Sequence, residues 1–215
     1  HSTLESGMIM FNKMIINDLH LKSKTEKDRA TMTISSSDFI IKESTDKNPI
    51  RLGLENIVVF ADAHTDSLLI DLQWDDKSVE DLNKGKIEAV FLPHERVGGR
   101  LHISSQDMII NDSLWNISPT CYIDFKKNKI SFTEFDIYSG NQLLSVGGDF
   151  PRSNRDTLYL KFNELDISDF DLLTKGYGID IDGFINGDLH LAGHCEKFTF
   201  LSNLDVDGIK VNKHD

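Results

Sequence analysis

The chain has 215 residues, with 23 Lys and Arg against 35 Asp and Glu, a formal charge of −12. An acidic surface of that size argues against binding to a nucleic-acid backbone, because each phosphate contact needs positive charge. With 39% hydrophobic and 27% charged residues the composition is that of a folded domain, not of a disordered acidic tail. The longest uninterrupted apolar run, residues 57–61, is far short of the roughly 20 residues a membrane-spanning helix needs. No charged-then-apolar signal stretch opens the chain.

Residues 1–7 carry no periodicity and read as residues added ahead of a single elongated domain spanning 8–215. From there strand patterns follow one another: 8–21, 30–42, 51–60, 68–74, 85–92 and 97–103, the last followed by 108–110. Past residue 120 the alternation is regular. Cys121, Ile123 and Phe125 alternate with Thr120, Tyr122 and Asp124, and Ile130 and Phe132 alternate with Lys129 and Ser131. Leu144 and Val146, then Leu158, Leu160 and Phe162, then Ile185, Leu189 and Leu191 continue it, and Phe198, Phe200, Leu204 and Val206 share one parity. A period of two puts one face of each strand on an apolar surface and the other in water.

The connections between these runs are short and polar, as at 23–29, 42–48, 75–84, 126–128 and 151–156. Hairpin-length links mean adjacent antiparallel strands, and no crossover is long enough to build a parallel sheet. One short helix is expected at 166–175, capped by Asp166 or Ser168 and stopped by Gly176. Asp207-Gly208 reads as a hairpin turn, with 209–211 starting a return strand, so the chain reads as a segment of a longer β-rich protein.

Parity breaks recur at Ile34/Phe39, Leu54/Ile57 and Phe132/Phe135. Each needs a bulge or bend to keep apolar side chains on one face, and repeated bends curl a sheet. The expected fold is all-β: a long antiparallel meander curled into a taco-like open groove, or closed on itself as a sandwich.

Catalytic and metal-binding patterns do not rise above background. Gly176-Tyr-Gly178 lacks the third glycine of a dinucleotide fingerprint, and there is no phosphate loop. Asp180-Ile-Asp182-Gly183 has the start of a calcium loop, but Phe184, Ile185 and Leu191 stand where further oxygen ligands would be needed, so a solvated loop is expected. His190 and His194 would share a face on a helix; on the strand expected here they spread along about 13 Å. Glu134 and Asp136 could flank a glycosidic bond, yet acidic residues on the wet face of a strand are far commoner. Cys121 and Cys195 form no Cys-x-x-Cys pair and read as buried free thiols, with a disulfide between them left open. No enzyme activity and no cofactor are implied.

The C-terminal half carries an ordered set of features. Leu114-Trp-Asn-Ile117 and Cys121-Tyr-Ile-Asp-Phe125 come first, then Lys129-Ile-Ser-Phe-Thr-Glu-Phe-Asp-Ile137 and Gln142-Leu-Leu-Ser-Val-Gly-Gly148. Asp156-Thr-Leu-Tyr-Leu-Lys-Phe-Asn-Glu-Leu-Asp-Ile-Ser-Asp-Phe170 follows, and Gly183-Phe-Ile-Asn-Gly-Asp-Leu-His-Leu-Ala-Gly193 leads into Phe198-Thr-Phe-Leu-Ser-Asn-Leu-Asp-Val206. This order resembles the TamB family of AsmA-like bridge proteins in Gram-negative envelopes, in its Bacteroidetes versions, with Gly183, Gly187 and Gly193 matching the family's glycine spacing. The likeness is specific over about residues 112–208. Earlier it rests on Leu68-Leu-Ile-Asp-Leu-Gln-Trp-Asp75 and Gly99-Arg-Leu-His-Ile103.

The resemblance implies a curled β-sheet lined with apolar side chains, part of a periplasmic bridge anchored in the inner membrane. It further implies work in phospholipid transport between the two membranes or in outer-membrane protein assembly. The implied partners are phospholipid acyl chains, flanking segments of the same protein and, through other regions, an outer-membrane barrel. The residues expected to line the groove are Ile123, Phe125, Ile130, Phe132, Leu144, Val146, Leu158, Leu160, Phe162, Leu189, Leu191, Phe198, Phe200, Leu204 and Val206. Trp74 and Trp115 are expected to pack near sheet ends. The alternatives are a closed sandwich core, a structural or adhesive module joining proteins through edge strands, and a carbohydrate-binding domain, which the few scattered aromatics disfavour.

Overall fold

A computed structural model describes residues 1–11, 14–41, 50–75, 83–94, 98–153, 155–170, 179–194 and 197–213. They form fourteen strands in a single antiparallel sheet. In chain order these are β1 (Ser2–Phe11), β2 (Met14–Glu26), β3 (Arg29–Ile41), β4 (Ile50–His64), β5 (Leu68–Asp75), β6 (Lys84–Pro93) and β7 (Gly98–Ile110). There follow β8 (Ser113–Ile117), β9 (Tyr122–Lys126), β10 (Lys129–Ser139), β11 (Gln142–Asp149), β12 (Thr157–Asp166), β13 (Ile179–His194) and β14 (Lys197–Lys213). Each strand lies beside its sequence neighbour, the meander that short polar links dictate. β8 and β9 share one lane, since each pairs with both β7 and β10. Among the described residues β1 and β14 do not pair, so the sheet does not close into a barrel.

Register assigns the faces, because directly paired residues point the same way. Val59 pairs with Leu72, Leu72 with Ile87 and Ile87 with Ser105. Their side, face A, also carries the buried residues Trp74, Met108, Trp115, Ile117, Leu158 and Leu165. The core cluster joins Trp74 on β5 to Leu165 on β12, with Ile57, Ile87, Ile103 and Phe135 packed against it. One sheet can cover its own face across so many strands only by curling over it. Cys121, 0% exposed, and Trp115, 1% exposed, mark the tightest part of that curl.

The curl follows a set of strand residues at positive φ, three of them at bulges. Asp18, Asn56, Asp107, Glu134 and Glu164 have φ of 49°, 48°, 48°, 48° and 44°, on β2, β4, β7, β10 and β12 respectively. Register shifts coincide with Asp107, Glu134 and Glu164, and a further one lies beside Asn56 between Asp38 and Ile40. An inserted residue in this conformation turns the strand and brings the next apolar side chain back to the same face. The expected parity break Phe132/Phe135 is of this kind, since it spans Glu134; the side chains of Phe39 and Leu54, which belong to the other two expected breaks, lie outside the described residues. Side chains brace the bends. Asn17 Nδ2 donates to Asp38 Oδ1 at 2.7 Å, Asn56 Nδ2 to the Asp75 carbonyl at 2.8 Å, and the Glu164 N–H to Asn186 Oδ1 at 2.7 Å.

Several local expectations are corrected. The run 8–21 is two strands, not one, since Phe11 pairs with Met14; residues 12 and 13 lie outside the described residues. Residues 2–6 lack alternation yet are paired strand, Ser2 facing Ser23 and Leu4 facing Leu21. Asp207-Gly208 is not a hairpin. β14 runs through it to Lys213, because β13 continues opposite it to Ile179, and Gly208 (φ 67°) forms a bulge facing Gly183. A two-residue hairpin of type I′ needs two positive φ angles, and here only Gly208 has one. The expected helix at 166–175 begins as a four-residue 3₁₀ turn, Ile167–Phe170, because β12 extends through Asp166; residues 171–178 lie outside the described set. Asp180-Ile-Asp182-Gly183 is not a loop but the first part of β13.

Candidate functional site

The fifteen residues expected to line a groove all fall on face A. Ile123 pairs with Phe132 and Phe125 with Ile130. Leu144 pairs with Phe162, Val146 with Leu160, and Leu158 with Gly148, itself opposite Phe132. Leu158, Leu160 and Phe162 face Leu191, Leu189 and Gly187, and these face Phe200, Ser202 and Leu204 in turn. Phe198 lies opposite Gly193, and Val206 opposite Ile185. Alternation within each strand is enough to read this; the register then lines the strands up.

Cover over this face is incomplete. Leu158 is buried, ten of the fifteen are half-buried, and Phe198, Phe200, Leu204 and Val206 are exposed. Phe200 is 65% exposed. A closed sandwich core would bury most of them. Exposure rises toward β14, so the surface grades from a packed centre to an open margin.

The sequence reading stopped this surface too early. Ile57 on β4, Leu72 on β5, Ile87 on β6, and Ile103 and Met108 on β7 lie on the same face and pack on the same cluster. The signal was present in Leu68-x-Ile70-x-Leu72-x-Trp74. Trp74 and Trp115 are packing residues, as expected, but sit mid-sheet in the core and not at its ends. From Ile57 to Val206 no Asp, Glu, Lys or Arg falls on face A at the paired positions.

The charges stand on the other side, face B. Arg29 makes a two-pronged contact with Asp62, Nε to Oδ1 at 2.8 Å and Nη2 to Oδ2 at 2.6 Å. Arg100 holds Asp124 the same way, at 2.8 and 3.0 Å, while its guanidinium lies 3.9 Å over the Tyr122 ring. Lys86 bridges Asp71 and Glu88 at 2.9 and 2.6 Å. The Arg29 guanidinium holds the Asp62 carboxyl below its ordinary range against partial burial, and Arg100 does the same for Asp124. The Arg29–Asp62, Arg100–Asp124 and Lys86–Asp71 pairs each tie neighbouring strands on the wet side, which fixes register and so keeps face A apolar.

One edge of the curl carries a polar knot. Asp169 of the 3₁₀ turn, 6% exposed, accepts from Ser113 Oγ at 3.2 Å and Gln142 Nε2 at 2.7 Å. Asn111 Nδ2 donates to the Ser168 carbonyl at 3.3 Å. The turn is thereby fastened to β8, to β11 and to the β7–β8 turn at once.

No family model, curated protein or solved structure matches the chain. The candidate site therefore stands on geometry alone.

The other sequence candidates disperse. Glu134 is exposed on a bulge, whereas Asp136 accepts a hydrogen bond from Ser145 Oγ. His190 stacks edge-on against Tyr159 at 4.8 Å on face B; His194 ends β13, with its side chain outside the described residues. Cys121 is a free thiol donating to the Ile103 carbonyl at 3.2 Å, and its burial raises its pKa; Cys195 lies outside the described residues. The glycines of the family pattern have a backbone reason to be there. Gly183, Gly187 and Gly193 have φ of 136°, 112° and 114°, and a Cβ at Gly187 would stand 2.0 Å from the Asn203 carbonyl oxygen.

Proposed function

We propose that this chain is a section of a TamB-like bridge across the periplasm and that face A shields phospholipid acyl chains in transit, in lipid transport or in outer-membrane assembly. The observation that carries the reading is the long, incompletely covered face A of a single curled sheet, which from Ile57 to Val206 has no charged residue at its paired positions. A methylene withdrawn from water is worth about 0.8 kcal/mol, so ten methylenes half-withdrawn give on the order of 4 kcal/mol. That suffices to hold a chain loosely and to release it, while a charged headgroup stays wet at the open margin. The acidic face B disfavours adhesion to anionic lipid surfaces, which suits a section that crosses a gap and does not lie on a membrane. Shielding of this kind needs no catalytic residue.

Native mass spectrometry with lipid extraction, on the chain purified from bacteria, tests it. Co-purified phospholipid is expected, lost in Leu160→Asp and retained in Lys161→Asp, which alters the opposite face one residue away. A clean apo mass that stays unchanged after incubation with phospholipid vesicles refutes the reading.

A further inference from the structure

The two ends of strands β7–β12 differ in charge. At one end, the β9–β10 turn, the β11–β12 link and the start of β7 bring six cations, Arg100, Lys126, Lys127, Lys129, Arg152 and Arg155, to three carboxylates, Asp124, Asp149 and Asp156. At the other end, the turns at 110–113 and 139–142 and the stretch 164–170 carry Asp112, Glu164, Asp166 and Asp169 and no Lys or Arg. The carboxylates of the basic end are all engaged. Arg100 holds Asp124 and Lys129 holds Asp149, at 2.8 Å each, and Asp156 accepts from the backbone N–H groups of Arg152 and Ser153 at 3.3 and 2.8 Å. Lys126, Lys127, Arg152 and Arg155 are exposed and make no ion pair with a described residue. The two connections form one rim: the Phe150 N–H donates to the Ile130 carbonyl at 2.8 Å, and the fully buried Pro151 anchors the link. Face A begins beside this rim, at the half-buried Phe125–Ile130 pair and at Leu158.

We infer that this basic rim binds the anionic headgroup of a lipid whose acyl chains lie on face A, so that the groove prefers phospholipids of net negative charge to zwitterionic ones. The inference rests on the lipid reading above and adds to it the class of lipid. In a chain of charge −12, four cations without carboxylate partners leave a local positive field that a phosphate can complete. Arginine offers paired donors to two phosphate oxygens and lysine a point charge. The same field repels the ammonium group of a zwitterionic headgroup. The acidic end does not cancel it: β10 has eleven residues, roughly 34 Å of strand, which is several Debye lengths at physiological salt. The apolar border decides the source of the phosphate, since a soluble anion would gain nothing from Phe125, Ile130 and Leu158.

The test incubates the 215-residue chain with vesicles of equal parts phosphatidylglycerol and phosphatidylethanolamine, re-isolates it and measures the extracted lipids by mass spectrometry. Phosphatidylglycerol is expected to be enriched about tenfold over the vesicle ratio. The double variant Lys126→Gln/Lys127→Gln should cut that enrichment at least about fivefold while binding as much lipid in total. Lys22→Gln/Lys161→Gln removes the same charge from exposed positions on face B and should keep the parent ratio. All four lysines are exposed, so the fold is retained, as circular dichroism checks. Glycerol phosphate in excess, an anion without acyl chains, should not displace the lipid. Bound lipid at the vesicle ratio, a ratio unchanged in Lys126→Gln/Lys127→Gln, an equal fall in the face B variant, or displacement by glycerol phosphate would each overturn the headgroup assignment and leave the lipid reading standing. No bound lipid in any arm would overturn both.

Discussion

Two glycines separated by forty residues should respond oppositely to the same methyl group. Gly187 on β13 has φ 112°, and an added Cβ would lie 2.0 Å from the Asn203 carbonyl oxygen on β14. The backbone conformation alone costs an alanine on the order of 1–3 kcal/mol. Relieving the overlap requires the β13–β14 backbones to separate by about 1 Å, beside the Glu164–Asn186 hydrogen bond, which brings the expected loss for Gly187→Ala to about 3–4 kcal/mol. Gly147 on β11 has an ordinary negative φ and nothing within 4 Å of an added Cβ. Gly147→Ala therefore acts mainly by restricting the unfolded chain and should stabilise by about 0.4–1 kcal/mol. Urea titration followed by circular dichroism reads both, and at a slope of about 2–3 kcal/mol per molar the two midpoints should differ by more than about 1 M. Midpoints within about 0.3 M of each other would refute the assignment of Gly187 to a position closed to side chains.

Glu134→Gly relieves a left-handed residue of about 1 kcal/mol and forfeits a similar amount of chain entropy, so its stability should stay within about 0.5 kcal/mol of the parent. Lys161→Gly, at a regular strand position, should lose about 1 kcal/mol, and equal losses for the two would count against the bulge account. Asp62 and Asp124 have folded pKa values lowered by Arg29 and Arg100, so their contribution is present above the unfolded carboxylate pKa of about 3.9 and disappears as pH falls through the lower folded values. Urea midpoints should accordingly be level from about pH 7 to pH 5 and drop below about pH 4, less steeply in Asp62→Asn. A midpoint insensitive to acid would show that these pairs do not report on the folded sheet.

The face pattern was legible in the sequence because period two is a strictly local signal: Leu158, Leu160 and Phe162 declare their common side without any knowledge of their neighbours. Parity breaks were legible for the same reason at Phe132/Phe135. The misreadings lie where a distant partner decides. Asp207-Gly208 has the composition of a hairpin, but whether the chain turns there depends on β13 running past it, which no window around residue 207 contains. The division of 8–21 into β1 and β2 was missed because Met8–Phe11 and Met14–Ile16 are apolar at every position, so no change of parity separates the two strands. The bulges at Asp107 and Glu164 were hidden differently, since Asp and Glu at positive φ carry none of the glycine signal that usually marks that conformation. The extent of face A was underestimated on the N-terminal side, where small residues such as Ala61, Ala63 and Ala89 dilute the alternation.

The strand order has a consequence for how such a chain comes to be folded. Apart from the shared lane of β8 and β9, every strand is paired with the one made just before it and the one made just after. Order can therefore spread by adding one hairpin at a time to an existing edge, with no segment waiting for a distant part of the chain to appear. A protein threaded end-first through a narrow passage could assemble in the order of its emergence, each new strand using the last as its template. The same grammar makes the sheet extensible: lengthening it requires only another hairpin, and no earlier contact has to be revised to accept it.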